Sequence, residues 1–180
     1  MSPDVAPDAA APADLTAAAR LWRAYLDASG DPDGPWTVDR FAVTAAYATE
    51  IAAWVRTRGK RTTCDLVTSY LAGRGHVPEV GDRWVLVDGD GAPVHVLRTT
   101  HVRVGVLDDG DEAFALAEGD GSYDAWRAAH LDYLGELCVG RGEVFDPAAT
   151  PVVLETFEVL ASAPEQEPVP GQETGPGRVG

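Results

Sequence analysis

The stretch Arg58-Gly59-Lys60-Arg61-Thr62-Thr63-Cys64-Asp65 gathers three cationic side chains and two hydroxyls into one short turn. Lys60 is the only lysine among the 14 Lys and Arg residues of the chain. An arginine keeps its proton in any protein setting, whereas a lysine amine that loses its water can act as a base or a nucleophile. A chain that meets its other needs for positive charge with Arg therefore singles out Lys60 as an amine. Composition alone equally allows an ordinary surface residue.

The elements that must position this turn can be read from periodicity. Asp14 is a plausible N-cap for a helix whose apolar face carries Leu15, Ala18, Ala19, Trp22, Tyr25 and Leu26. Trp22 and Tyr25 read as core. The run Gly30-Asp31-Pro32-Asp33-Gly34-Pro35 breaks the chain. A second helix is predicted over about 44–57, with Ala48, Ile51, Ala52 and Val55 on one face. Gly59 suits its C-terminal cap, and Arg58 and Arg61 suit the negative end of its dipole. A short helix is expected next, with Leu66, Val67, Tyr70 and Leu71 sharing a face.

A β-rich block follows, with strands predicted at 84–87, 94–97 and 102–106. Helices are expected near 111–117 and over 122–137, the second capped by Ser122 and lined by Trp126, Ala129, His130, Tyr133 and Leu137. A last strand is expected near 152–159. Strands in the middle and at the end, with helices between, predict an α+β fold around a small mixed sheet or barrel. The Ala/Pro/Asp lead at 1–13 and the Pro/Gly/Glu-rich tail at 161–180 read as disordered, which leaves one domain over 14–160.

The formal net charge of -15 bounds the partners. Long duplex nucleic acid is held by neutralising many phosphates, and this chain repels it overall; a small substrate or a short strand suits it better. Cys64 and Cys138 stand far apart, which argues against a disulfide framework or a zinc site. No signal-peptide pattern or membrane-length apolar run is visible, so a cytoplasmic location is expected. Gly59-Lys60 lacks the surroundings of a phosphate-binding loop, and the Asp/Gly clusters at 88–91 and 108–112 do not continue as calcium loops. His76, His95, His101 and His130 lack metal-ligand spacing, so neither metal nor cofactor is expected.

The segment Gly59-Lys60-Arg61-Thr62-Thr63, followed by Gly81-Asp82-Arg83-Trp84 through Ala92-Pro93, resembles the ASCH family (activating signal cointegrator homology). So do Glu118-Gly119-Asp120-Gly121 with Trp126-Arg127-Ala128-Ala129-His130, and Pro151-Val152-Val153-Leu154-Glu155-Thr156-Phe157. The resemblance spans about 15–160 in order. It implies a β-barrel related to PUA domains, with flanking helices and a cleft for RNA or nucleosides. Some small members are amidohydrolases that deacetylate 4-acetylcytidine, and ribonuclease activity also occurs in the family. The amidohydrolase pattern, a Lys, a Thr three positions later and a downstream Glu, falls on Lys60, Thr63 and Glu118.

In that pattern Lys60 is the base, Thr63 the nucleophile and Glu118 the acid. The chemistry is coherent: a Thr hydroxyl needs a base to take its proton, and burial or the cations Arg58 and Arg61 would make the amine such a base. A protonated Glu118 would serve the leaving amine. Each residue also has an ordinary explanation: Thr63 as a helix N-cap, Glu118 as a solvated loop acid, Ser122 as an N-cap. Two readings stand side by side. One is an amidohydrolase acting on an acylated pyrimidine nucleoside. The other is an RNA-binding module or ribonuclease in which Lys60, Arg58 and Arg61 contact phosphate and Ser122 offers a phosphate-binding helix start.

Overall fold

The computed structural model describes residues 9–42 and 44–164. Among them, five α-helices surround one five-stranded sheet. Helix α1 (Leu15–Ser29) leads to strand β1 (Thr37–Asp39), helix α2 (Ala45–Thr57), strand β2 (Thr62–Leu66) and helix α3 (Val67–Gly73). Strands β3 (Arg83–Val87) and β4 (Pro93–Gly105) form a hairpin. Helices α4 (Glu112–Glu118) and α5 (Tyr123–Gly140) come next, and strand β5 (Val152–Ser162) closes the fold.

The sheet order is β1-β3-β4-β5-β2, with β1 parallel to β3 and every other pair antiparallel. The fold is α+β, and the expected barrel is realised as a mixed sheet curled into a half-barrel. Both faces are covered, which is why β3 reads as an unbroken apolar run rather than an alternating one. Val85 packs with α1 through Trp22, Tyr25 and Leu26, while Trp84 and Leu86 face α2 through Ala52 and Val55. A third cluster joins Cys64, Leu66, Val152 and Leu154 of the sheet to Ala115 of α4 and to Trp126, Leu134 and Cys138 of α5.

Several expectations change. The separate strands expected at 94–97 and 102–106 are one thirteen-residue strand, β4, bulged at Val96/Leu97 and Thr99/His101. The polar run Arg98-Thr99-Thr100-His101 masked it, yet Thr99 is buried and donates to the buried Glu155 at 2.5 Å. The helix expected from Leu66 begins at Val67. Of its expected face Tyr70 is buried and Leu71 is exposed, because Leu66 belongs to β2. Trp22 and Tyr25 are core residues, as expected.

The lead expected to be disordered over 1–13 lies outside the described residues up to position 8. From Ala9 the chain is laid onto the domain: Ala9 bridges to Thr44, the Ala11 N–H donates to the Gly89 carbonyl at 2.8 Å, and Arg40 donates to the Ala11 carbonyl at 2.6 Å. At the other end β5 runs to Ser162, and the tail beyond 164 lies outside the described residues. Among the described residues, no helix is long and apolar enough to cross a membrane.

Candidate active site

Three chain reversals bring the site together. Helix α2 ends at Thr57 with Arg58 as its cap, Gly59 takes the left-handed conformation (φ 71°), and the Lys60 N–H returns to the Trp54 carbonyl at 3.1 Å. This closing turn drives the Lys60 side chain inward. The Arg61 N–H donates to the Ala117 carbonyl at 2.7 Å, which ties the turn to the last turn of α4. Gly119, left-handed at φ 103°, then ends α4 directly after Glu118. Finally Ser122 caps α5 by accepting from the Ala125 N–H at 3.1 Å. Trp126 and His130 fall one turn apart on the same side of that helix.

Lys60 is 2 % exposed and Glu118 3 %. The ammonium Nζ donates to Glu118 Oε1 at 2.9 Å and lies 3.4 Å from the Glu118 backbone carbonyl. It also sits 4.8 Å from the centre of the Phe41 ring. The Trp126 indole N–H donates to Glu118 Oε2 at 2.7 Å, and His130 Nε2 stands 3.5 Å from Oε1. Glu118 is thus no solvated loop acid. Burial raises its carboxyl pKa, but the neighbouring charges of Lys60 and His130 outweigh burial and hold it down at about 2. At rest, therefore, Lys60 carries the proton of the pair and Glu118 is ionised, the reverse of the states in which a base and an acid would act.

Thr63 is not a helix N-cap. It lies inside β2, paired in register with Glu155 of β5, and is 8 % exposed. Among the described residues its hydroxyl has no hydrogen-bond partner. Lys60, Thr63 and Glu118 line one pocket together with Phe41, Tyr47, Ile51, Trp54, His130 and Tyr133. Asp120 stands at the same pocket, its carboxyl raised by burial and by Glu118. The three residues of the amidohydrolase pattern are brought together.

The phosphate-contact set is not. The Arg61 guanidinium donates to the carbonyls of Val55 (3.0 Å) and Lys60 (2.6 Å), so it satisfies the open end of α2. Ser122 is an exposed helix cap away from the pocket lining. Arg58 is exposed, stacks on Trp54 at 4.0 Å from the ring centre and donates to the Gly119 carbonyl at 3.1 Å, which puts it beside the pocket rather than in it.

Sequence reasoning missed the aromatic wall. Tyr47, Ile51 and Trp54 recur at i, i+4 and i+7, a stripe that runs from the exposed Tyr47 onto the core face of α2 at Ile51 and Trp54, and that spacing was the available signal. Phe41 sits in a loop and had none. Trp126 and His130 were placed on one side of the helix expected over 122–137, and their polar atoms turn out to face Glu118. Among the described residues, no group of three or more His, Cys, Asp or Glu side chains is placed to hold a metal ion.

The family model described as ASCH domain matches residues 37–161. Among solved structures, an ASCH domain from Lactobacillus crispatus JV V101 is similar over 81% of this chain and 94% of that one, at 25% identity and a TM-score of 0.70. A protein from Enterococcus faecalis V583 is similar over 82% of this chain and 90% of that one, at 25% identity and a TM-score of 0.69. No curated protein matches. With the matched region spanning the sheet and every residue of the pocket, the chain belongs to the ASCH domain family.

Proposed function

We propose that this ASCH domain is an amidohydrolase that removes the acyl group from the exocyclic amine of a modified pyrimidine nucleoside such as 4-acetylcytidine. The observation that carries this reading is the buried 2.9 Å contact between Lys60 and Glu118 at a pocket also lined by Thr63, whose hydroxyl has no hydrogen-bond partner among the described residues. The aromatic wall of Phe41, Tyr47 and Trp54 suits a flat heterocycle.

The contact supplies one mobile proton. When substrate displaces water, the proton passes from Lys60 Nζ to Glu118 Oε1, leaving a neutral amine and a carboxylic acid. The amine takes the Thr63 proton as the hydroxyl oxygen bonds to the acyl carbon. Glu118 gives its proton to the departing nitrogen as the C–N bond breaks, and the resting ion pair returns. Hydrolysis of the Thr63 ester repeats the cycle: Lys60 takes a proton from water, and Glu118 returns one to the Thr63 oxygen. No proton is gained or lost by the protein over the two halves. Cytoplasm, with Cys64 and Cys138 both free and buried, is the compartment proposed for this activity.

An RNA-binding or ribonuclease function is the alternative. It draws less support, since Arg61 and Ser122 are engaged in helix capping and Lys60 is paired with Glu118. The test is release of cytidine from 4-acetylcytidine by wild type, Lys60→Arg and Thr63→Val. Turnover by wild type is expected to fall by about 10²-fold or more in both variants, the scale of a lost proton-transfer or nucleophilic group. An inactive wild type, or undiminished turnover in Lys60→Arg, overturns the assignment.

A further inference from the structure

His130 is 9 % exposed, with its ring held at Nδ1 and facing a carboxyl at Nε2. Nδ1 lies 2.9 Å from the Trp126 carbonyl oxygen. A carbonyl oxygen can only accept, so Nδ1 carries a hydrogen whether the ring is charged or neutral. Nε2 therefore has only two states toward Glu118 Oε1, 3.5 Å away. In the imidazolium it is an N–H donor that favours the carboxylate. In the neutral ring it is a bare lone pair, which repels a carboxylate but accepts from a carboxylic acid. The other carboxyl oxygen, Oε2, is taken by the Trp126 indole, so Lys60 and His130 act on the same oxygen.

We propose that His130 is a positioning residue that decides which member of the Lys60–Glu118 contact holds the shared proton. The imidazolium keeps it on Lys60. The neutral ring accepts from protonated Glu118 Oε1, and turning that O–H toward Nε2 frees the Lys60 amine. The step moves one proton from Lys60 Nζ to Glu118 Oε1 and needs no other reactant. It rests on the reading of this contact as a proton-transfer pair. The ring is faced by Glu118 at the end of α4, Lys60 before β2 and Asp120 between α4 and α5, with the Trp126 carbonyl from its own helix. Burial lowers the pKa of the ring, but the nearby charge of Glu118 outweighs it and leaves it raised above 6.5.

Two measurements test this. The first is the pH dependence of 4-acetylcytidine turnover. Wild-type kcat is expected to rise with pH through the titration of His130, falling about tenfold per pH unit below it, as one inhibitory proton requires. His130→Gln has no ring to titrate, and that limb should vanish from its profile. The same acid limb in a folded His130→Gln overturns the proposal, because a purely packing role would leave the limb in place. The second needs no substrate: nitrogen NMR of the His130 ring in wild type and Glu118→Gln. The expected result is a protonated Nδ1 at all pH values and a pKa about one unit or more lower in Glu118→Gln, for loss of an adjacent charge. A neutral ring with its proton on Nε2, or an unmoved pKa, overturns the inference. If wild type shows no turnover, the functional reading fails and the NMR result alone decides the role of His130.

Discussion

Lys60 and Glu118 hold each other in a place where neither is stable alone. Lys60→Met removes one charge and leaves a buried carboxylate whose remaining partners are Trp126 and His130. Breaking one side of a buried pair costs ~3–5 kcal/mol, and urea denaturation should show a loss of that size. Glu118→Gln, which keeps an acceptor for the Trp126 indole, perturbs packing less and strands only the Lys60 cation. Titration gives a second expectation. The Glu118 carboxyl sits at about 2 against an ordinary 4.5, so its contribution to stability is complete above 4.5 and is lost as pH falls toward 2. His130 is raised above 6.5, so its contribution is complete below 6.5 and is lost as pH rises through its folded value. The melting temperature should therefore decline on both sides of a plateau between about 4.5 and 6.5. At this scale the sequence was informative about Lys60, whose rarity marked it. It offered Glu118 as a protonated acid, whereas the resting carboxyl is held ionised by Lys60 and by His130, which arrives from a different helix.

At the scale of elements, α4 and α5 form the hairpin that fixes Glu118, and Gly110, just before α4, lies against the Trp126 ring of α5. A Cβ at Gly110 would overlap the outer edge of the Trp126 indole. Gly110→Ala should thus push away the ring that anchors Glu118 Oε2. Overpacking of this kind costs ~1–3 kcal/mol, and a chain that tolerates it should still turn over more slowly than wild type. Steady-state kinetics beside a thermal melt distinguishes displacement of the site from simple unfolding. The helices were legible because α1, α2 and α5 are long and periodic. β2 was not, because its five residues carry no alternation and become a strand only by pairing with β5, some 90 positions away, as in Thr62 with Thr156. With β2 hidden, Thr63 could be read only as part of a turn.

For the whole molecule, a formal charge of -15 opposes any partner that presents a run of phosphates. Polyuridine RNA added at physiological ionic strength should leave nucleoside turnover unchanged, and inhibition that fades with added salt would instead mark the pocket as an RNA site. The pocket itself divides by origin. Glu118 and the groups around its carboxyl, Lys60, Trp126 and His130, come from the ends of α2 and α4 and from α5. Tyr47, Ile51 and Trp54, the wall a flat ring would lie against, come from the body of α2, and Phe41 from the loop before it. On the function proposed above, recognition draws mostly on one stretch of chain and reactivity on others, and the two meet where the Phe41 ring faces Lys60. On that function, drift at Tyr47, Ile51 and Trp54 would retune which molecule is accepted while Lys60 and Glu118 keep the chemical step, a division of labour that lets one ancestral scaffold supply descendants with different diets.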